Sequence, residues 1–174
     1  MLKTKNVKFE LVTEDDAEKI IELRKNNNLN KYLSATDENV EKQKKWIKEY
    51  KNREKDGIEY YYSIKTNENE ILGYVRVYKI NRKEKSFTWG SWIMKEEKPV
   101  SSALETAILI YEIAFRELDM EKALFEVMKE NIKVVSFHKK FGATKISEDT
   151  EFEYFILKKE DYFKMREKKY KKYL

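Results

Sequence analysis

Phe87-Thr88-Trp89-Gly90-Ser91-Trp92-Ile93-Met94, the charged stretch Lys95 to Val100, and the helix opened by Ser101-Ser102-Ala103-Leu104-Glu105 decide the fold. The first eight residues are aromatic and β-branched and predict a strand. Pro99 and its charged neighbours make a turn. Leu104, Ala107, Ile108, Tyr111, Ala114, Phe115 and Leu118 then share one stripe, which predicts a helix from Ser102 to Leu118 buried against a sheet. Ser102 and Glu105 have the spacing of a capping box. A strand feeding a helix N-terminus aims free N–H groups and the positive end of the dipole at one point, a setting that suits a phosphate. An ordinary βα connection has the same pattern, so the turn alone leaves both readings open.

Working outward, Val7 to Val12 alternates polar and apolar residues and predicts a first strand. Thr13 caps a helix that ends at the cluster Asn26-Asn27-Asn28, and a second helix runs from about Asp37 to Arg53. Ile58 to Thr66 and Glu70 to Ile80 form a hairpin around Asn67-Glu68-Asn69. Ala123 to Met128 is a strand and Glu130 to Phe141 a helix, with Gly142 as its C′ residue. Lys145 to Ser147 and Phe152 to Leu157 are a last pair of strands, and Lys159 to Tyr173 is a charged terminal helix. The order βααβββαβαββ implies one α/β (α+β) domain over residues 1–174, with a mixed, largely antiparallel sheet flanked by helices.

Composition bounds the function. With no cysteine and one histidine, thiolate catalysis, disulfides and multi-histidine metal sites drop out, so no metal is expected. Met1 to Asn6 has no apolar leader and no run spans a bilayer, so a cytoplasmic protein without a membrane partner is expected. The net charge of +5 is misleading. Residues 164–174 hold six basic residues and one acidic one, leaving 31 of each sign elsewhere. A nucleic-acid binder carries its basic patch on the folded surface, which argues against that partner. The tail reads as a solvated helix end, dispensable for chemistry.

Several stretches together resemble the GNAT superfamily of acetyl-CoA-dependent N-acyltransferases. They are Leu23-Arg24-Lys25-Asn26, Gly73, Gly90-Ser91-Trp92-Ile93, Glu126 to Asn131, and Val134-Val135-Ser136-Phe137-His138-Lys139-Lys140-Phe141-Gly142-Ala143. The similarity is to the branch holding ribosomal-protein N-terminal acetyltransferases and acetyltransferases of nucleotide-linked amino sugars. It implies acetyl-CoA as cosubstrate, a pyrophosphate turn at Val100, Ser101, Ser102 and Ala103, strand contacts from Trp92, Ile93 and Met94, and a pantetheine contact from Asn131. The family's catalytic tyrosine, seven residues after that asparagine, falls on His138, which would then face the cofactor sulfur. On residues alone a lone histidine among Val134, Phe137 and Phe141 is more often a satisfied core group. Arg24 and Arg76 could hold an acidic acceptor, although surface ion pairs are the commoner fate of arginine; Trp89 could stack on the acceptor or belong to the core. Two departures stand out: the pyrophosphate turn has no glycine, and Thr88 occupies a position where many relatives carry glutamate. The resemblance implies acetyl transfer to a small-molecule amine, an amino sugar on a nucleotide carrier first. A protein N-terminus, or a non-catalytic acyl-CoA-binding module, are the alternatives, and a homodimer is left open.

Overall fold

The computed structural model describes residues 3–35 and 37–174. Seven strands form one sheet: β1 Val7–Leu11, β2 Tyr60–Thr66, β3 Ile71–Asn81, β4 Ser86–Met94, β5 Lys122–Met128, β6 Thr144–Glu148 and β7 Phe152–Lys158. Their spatial order is β1-β2-β3-β4-β5-β7-β6. Every neighbouring pair is antiparallel except β4 and β5, which run parallel. The mixed, largely antiparallel architecture expected from the sequence is therefore the one found.

Five helices cover the sheet: α1 Ala17–Lys25, α2 Val40–Lys55, α3 Ser102–Glu112, α4 Ile132–Lys140 and α5 Lys159–Met165. One face buries Phe87, Trp89, Tyr111, Phe115, Phe141, Phe155 and Tyr162 in a continuous aromatic core. The other face packs α1 and α2 through Ile20, Ile47 and Tyr50 onto Tyr61, Tyr74 and Ile93. Alternation along the strands feeds both cores: Phe125 and Val127 of β5 are buried, whereas Glu126 between them is exposed on the opposite side.

Three sequence expectations need correction. The apolar stripe to Leu118 leaves α-helical geometry at Ile113, where Ile113–Glu117 forms a π turn closed by Leu118 N–H on the Ile113 carbonyl. The Ser102–Glu105 capping box does not form. Ser101 is the N-cap, without a side-chain cap bond, and the fully buried Glu105 carboxylate turns to Thr4 Oγ1, both Asn6 donors and Ser101 Oγ at 2.6–2.8 Å. Those bonds draw its pKa below the usual value against the cost of burial.

The C-terminal tail is more than a solvated helix end. Its lysines are exposed, yet Tyr162 and Tyr170 are buried, and Tyr170 stacks on Phe141 at 4.7 Å while its hydroxyl donates to the Lys140 carbonyl at 2.9 Å. Arg166 Nε pairs with Glu112 at 2.6 Å. A charge-rich segment can hide an apolar face when its buried residues are few and widely spaced, and composition alone does not see them.

Candidate functional site

The parallel pairing of β4 and β5 lasts for two registered pairs, Ser86 with Lys122 and Phe87 with Ala123. Beyond Phe87 the two strands part. The gap is a cleft of about 460 Å³ lined by Thr88 to Trp92 on one side, Phe125 to Met128 on the other, and by Asn131 with Val134 and His138 of α4. Tyr32 reaches across its mouth from the segment between α1 and α2, and its hydroxyl donates to the Glu130 carbonyl at 3.3 Å.

A bulge in β4 accompanies the parting. Tyr74 pairs with Ile93 and Arg76 with Gly90, so β4 carries one residue more than β3 between these pairs. Ser91 takes up the excess in the left-handed region, at φ +47°. Gly73 pairs with Met94 just beyond the bulge: a Cβ there would land on the Ile93 carbonyl oxygen and lie 2.8 Å from Met94 Cα. The Lys95 N–H donates to Leu72 of β3, so by alternation the Met94 N–H points the other way, into the cleft.

Met94 leads into the turn before α3. Among the described backbone acceptors, the N–H groups of Val100, Ser101, Ala103 and Leu104 find no partner, as expected of a helix start without a side-chain cap. The Ser102 N–H is committed to the Pro99 carbonyl. The two serine hydroxyls differ from the simple expectation. Ser101 Oγ donates to Glu105, and Ser102 Oγ is buried without a partner. Val100 extends its side chain into solvent.

Buried polar atoms without partners mark this region. Four occur among the described residues: Trp92 Nε1, Ser102 Oγ, His138 Nδ1 and Glu153 Oε2. Trp92 and His138 both line the cleft, and Ser102 opens the helix beside it. Native structures leave few such atoms, so the two in this one cleft point to a ligand. His138 sits among Phe125, Trp89 and Phe137, with ring centroids 4.2, 5.3 and 5.7 Å away. Burial in this aromatic setting pushes its pKa down to about 3, so the imidazole is neutral at physiological pH. Asn131 is the residue before α4; its side chain makes no cap bond and lines the same cleft.

Arg24 and Arg76 come together elsewhere. With Trp46, Tyr61, Lys42 and Ser91 they line a second pocket of about 340 Å³ on the α1–α2 face, and Ser91 of the bulge belongs to both cavities. Arg76 is not free: it pairs with Glu59, which also holds Arg53 Nε at 3.0 Å, and its guanidinium lies 5.1 Å from the Trp46 ring. Trp89 is separate from them. It is buried on the aromatic face, and its Nε1 donates to the Tyr111 hydroxyl at 3.1 Å. Trp46 was overlooked in the sequence as a pocket residue, because its apolar helical spacing gives the same signal as a core residue.

Among the described residues no helix is long and apolar enough to cross a membrane, and no three side chains gather as metal ligands. A family model for the acetyltransferase (GNAT) domain matches residues 6–144. Among solved structures, apo FdhC, described as a nucleotide-linked sugar GNAT, is 44% identical, with a TM-score of 0.90 over 99% of this chain and 97% of that one. Spermidine N-acetyltransferase from Vibrio cholerae, solved with CoA and spermine, has a TM-score of 0.76 over 90% of this chain and 98% of its own. Its 18% identity makes that a likeness of fold alone. No curated protein matches the chain significantly. Because the family model spans most of the chain, including the whole Asn131 to Ala143 stretch that carries the resemblance, this chain belongs to the GNAT acetyltransferases.

Proposed function

We propose that this protein transfers acetyl from acetyl-CoA to the amino group of a nucleotide-linked sugar. The observation that carries the reading is the pair of cavities meeting at Ser91 of the β4 bulge, one largely apolar and lined by His138 and Asn131, the other basic and aromatic. The 44% identity to a nucleotide-linked sugar GNAT supports the acceptor class.

The residues present fit acetyl-CoA. The unpaired N–H groups of Val100, Ser101 and Ala103, at the positive end of α3, suit its diphosphate without any glycine. Trp92 and Asn131 line the cleft that suits the pantetheine arm, and the Met94 N–H is aimed to polarise a thioester carbonyl. The Ile93 and Met94 side chains are buried in the two cores and contribute backbone alone. Ser102 serves by being small and buried, which lets the turn close; the hydroxyl of Ser101 acts through Glu105. His138 remains neutral, so its role is to offer an imidazole N–H to the sulfur as the C–S bond breaks. Arg24 and Arg76 hold the carrier's phosphates, and Trp46 flanks them with an aromatic face. Trp89 orients His138 and does not reach the acceptor.

A CoA-release assay with a panel of amines tests this reading. Amino sugars on nucleoside diphosphate carriers are expected to be turned over in preference to peptides and polyamines. His138→Ala is expected to lower kcat by roughly 10²-fold with acetyl-CoA binding retained. Preferential turnover of peptide N-termini would overturn the acceptor assignment.

A further inference from the structure

The proposed reaction leaves one proton without a destination. An amine attacking a thioester loses a proton, yet the β4 position that carries glutamate in many relatives is Thr88. Glu59, Glu105 and Glu126 are three candidate carboxylates, and the structure separates them. Glu59 is 6% exposed and held by Arg76 and Arg53. Glu105 is buried and saturated by Thr4, Asn6 and Ser101. Both are committed to the fold.

Glu126 is different. It lies on β5 directly across the gap from β4, and it lines the main cleft together with a further cavity of about 390 Å³ that meets the cleft at Thr88 and Phe125. Among the described residues it makes no hydrogen bond and no ion pair. Strand alternation puts its side chain on the face opposite His138: Phe125, its neighbour, packs on the imidazole, whereas Glu126 looks toward α1 and α2. Tyr78 lies on that same side. Its hydroxyl would be 3.1 Å from a Cβ on Gly90, so the ring can lie across β4 only because Gly90 has no side chain. Burial first, and then the charge of Glu126, raises the Tyr78 hydroxyl. The Arg76 guanidinium is 5.3 Å from the Tyr78 ring, which links this corner to the basic pocket.

Resting on the acetyl-transfer reading, we propose that Glu126 is the catalytic carboxylate that receives the acceptor amine's proton, standing on β5 in place of the glutamate that β4 lacks. An acceptor seated over Arg24 and Arg76 presents its nitrogen past the Ser91 bulge into the cleft, on the side of Glu126. The ionised carboxylate first attracts the ammonium form and then takes one proton from nitrogen, directly or through one water. The nitrogen lone pair bonds to the thioester carbon and the C–S bond breaks. As the intermediate collapses the sulfur leaves with its electron pair, hydrogen-bonded by the His138 N–H, and takes through water the second proton that the nitrogen gives up. The net products are one amide and one thiol, with the first proton held on Glu126. The base and the hydrogen-bond donor thus sit on opposite faces of one sheet.

The test compares the full-length protein with Glu126→Gln and Glu126→Asp by CoA release, using a nucleoside-diphosphate amino sugar, with acetyl-CoA affinity measured by calorimetry. Glu126→Gln keeps the shape and removes the base, and is expected to lower kcat roughly 10²-fold with acetyl-CoA affinity unchanged. Glu126→Asp is expected to recover part of that loss. An equally active Glu126→Gln overturns the assignment alone, as does a loss of acetyl-CoA affinity that accounts for the lost rate. A wild type that binds acetyl-CoA but acetylates no amine overturns the acetyl-transfer reading and this assignment together, and that outcome is read in the wild-type arm.

Discussion

The two faces of the sheet are built on opposite principles. Beneath α3 and α5, aromatic rings interlock: Tyr111 stacks on Phe115 at 5.7 Å and tilts against Phe141 and Tyr162 at 5.6 and 5.2 Å. Beneath α1 and α2 the apolar core is smaller and ends in Arg24, Arg76 and Trp46. A closed aromatic face gives rigidity, since packed interiors have few alternative arrangements. A half-covered face leaves polar side chains in reach of a ligand. The bulge at Ser91 sits where the two regimes meet, which is why the chemistry is assigned to that edge.

This contrast can be broken first at the closed face. Truncation before Lys164 removes Tyr170 and the Arg166 partner of Glu112. It is expected to cost roughly 3–5 kcal/mol or more, the range for deleting a buried aromatic, and thermal melting would report it. A truncated chain that melts like the full-length protein would show the tail to be solvated after all.

At the junction, Gly73→Ala drives a Cβ into the Ile93 carbonyl and the Met94 backbone. The strain is expected to cost about 1–3 kcal/mol and to lower transfer further by moving the Met94 N–H. Denaturant melts and kcat measured on the same preparation separate the two effects.

His138 sharpens the comparison through pH. Its pKa is about 3 in the folded protein because burial disfavours the imidazolium, against a reference of about 6.5 when unfolded. The unfolded chain therefore binds more protons between these values. The stability held by neutral His138 is complete above pH 6.5 and declines as pH falls toward 3, by about 2 kcal/mol at pH 5. His138→Phe is expected to lose about that much less stability than wild type between pH 7.5 and 5, followed by chemical denaturation. Equal losses would mean that the imidazole is solvated.

The smallest effect belongs to the open face. Arg24→Gln is expected to raise the acceptor KM about tenfold, as for one charge-assisted contact, with acetyl-CoA affinity unchanged. Its melting temperature is expected to stay within a few degrees of wild type. A large fall in stability would move Arg24 from the pocket into the architecture.

Much of the frame was legible in the residues. Alternation and helical stripes gave seven strands in the right order, because burial on one face imposes a period that a sequence records directly. The resemblance at Asn131 to Ala143 led to a family that the model match supports. Local patterns, however, misassigned Glu105. The S-x-x-E spacing describes a bond within one turn, whereas its carboxylate found Thr4 and Asn6, about a hundred positions away in the chain. Trp89 could not be assigned from the sequence, since an aromatic residue on a central strand has the same signal whether it faces the core or a ligand.

The sequence by itself determined the elements, their order, the lack of thiol chemistry and the small residues at the bulge and the turn, because each follows from local propensity or composition. The tertiary structure alone decided which of three glutamates is left unpaired, which arginines share a pocket, and how far the imidazole is desolvated. Those properties depend on neighbours brought together across the sheet. Charge pairing and desolvation act through space over a few ångströms, and sequence separation carries almost no information about which groups will be that close.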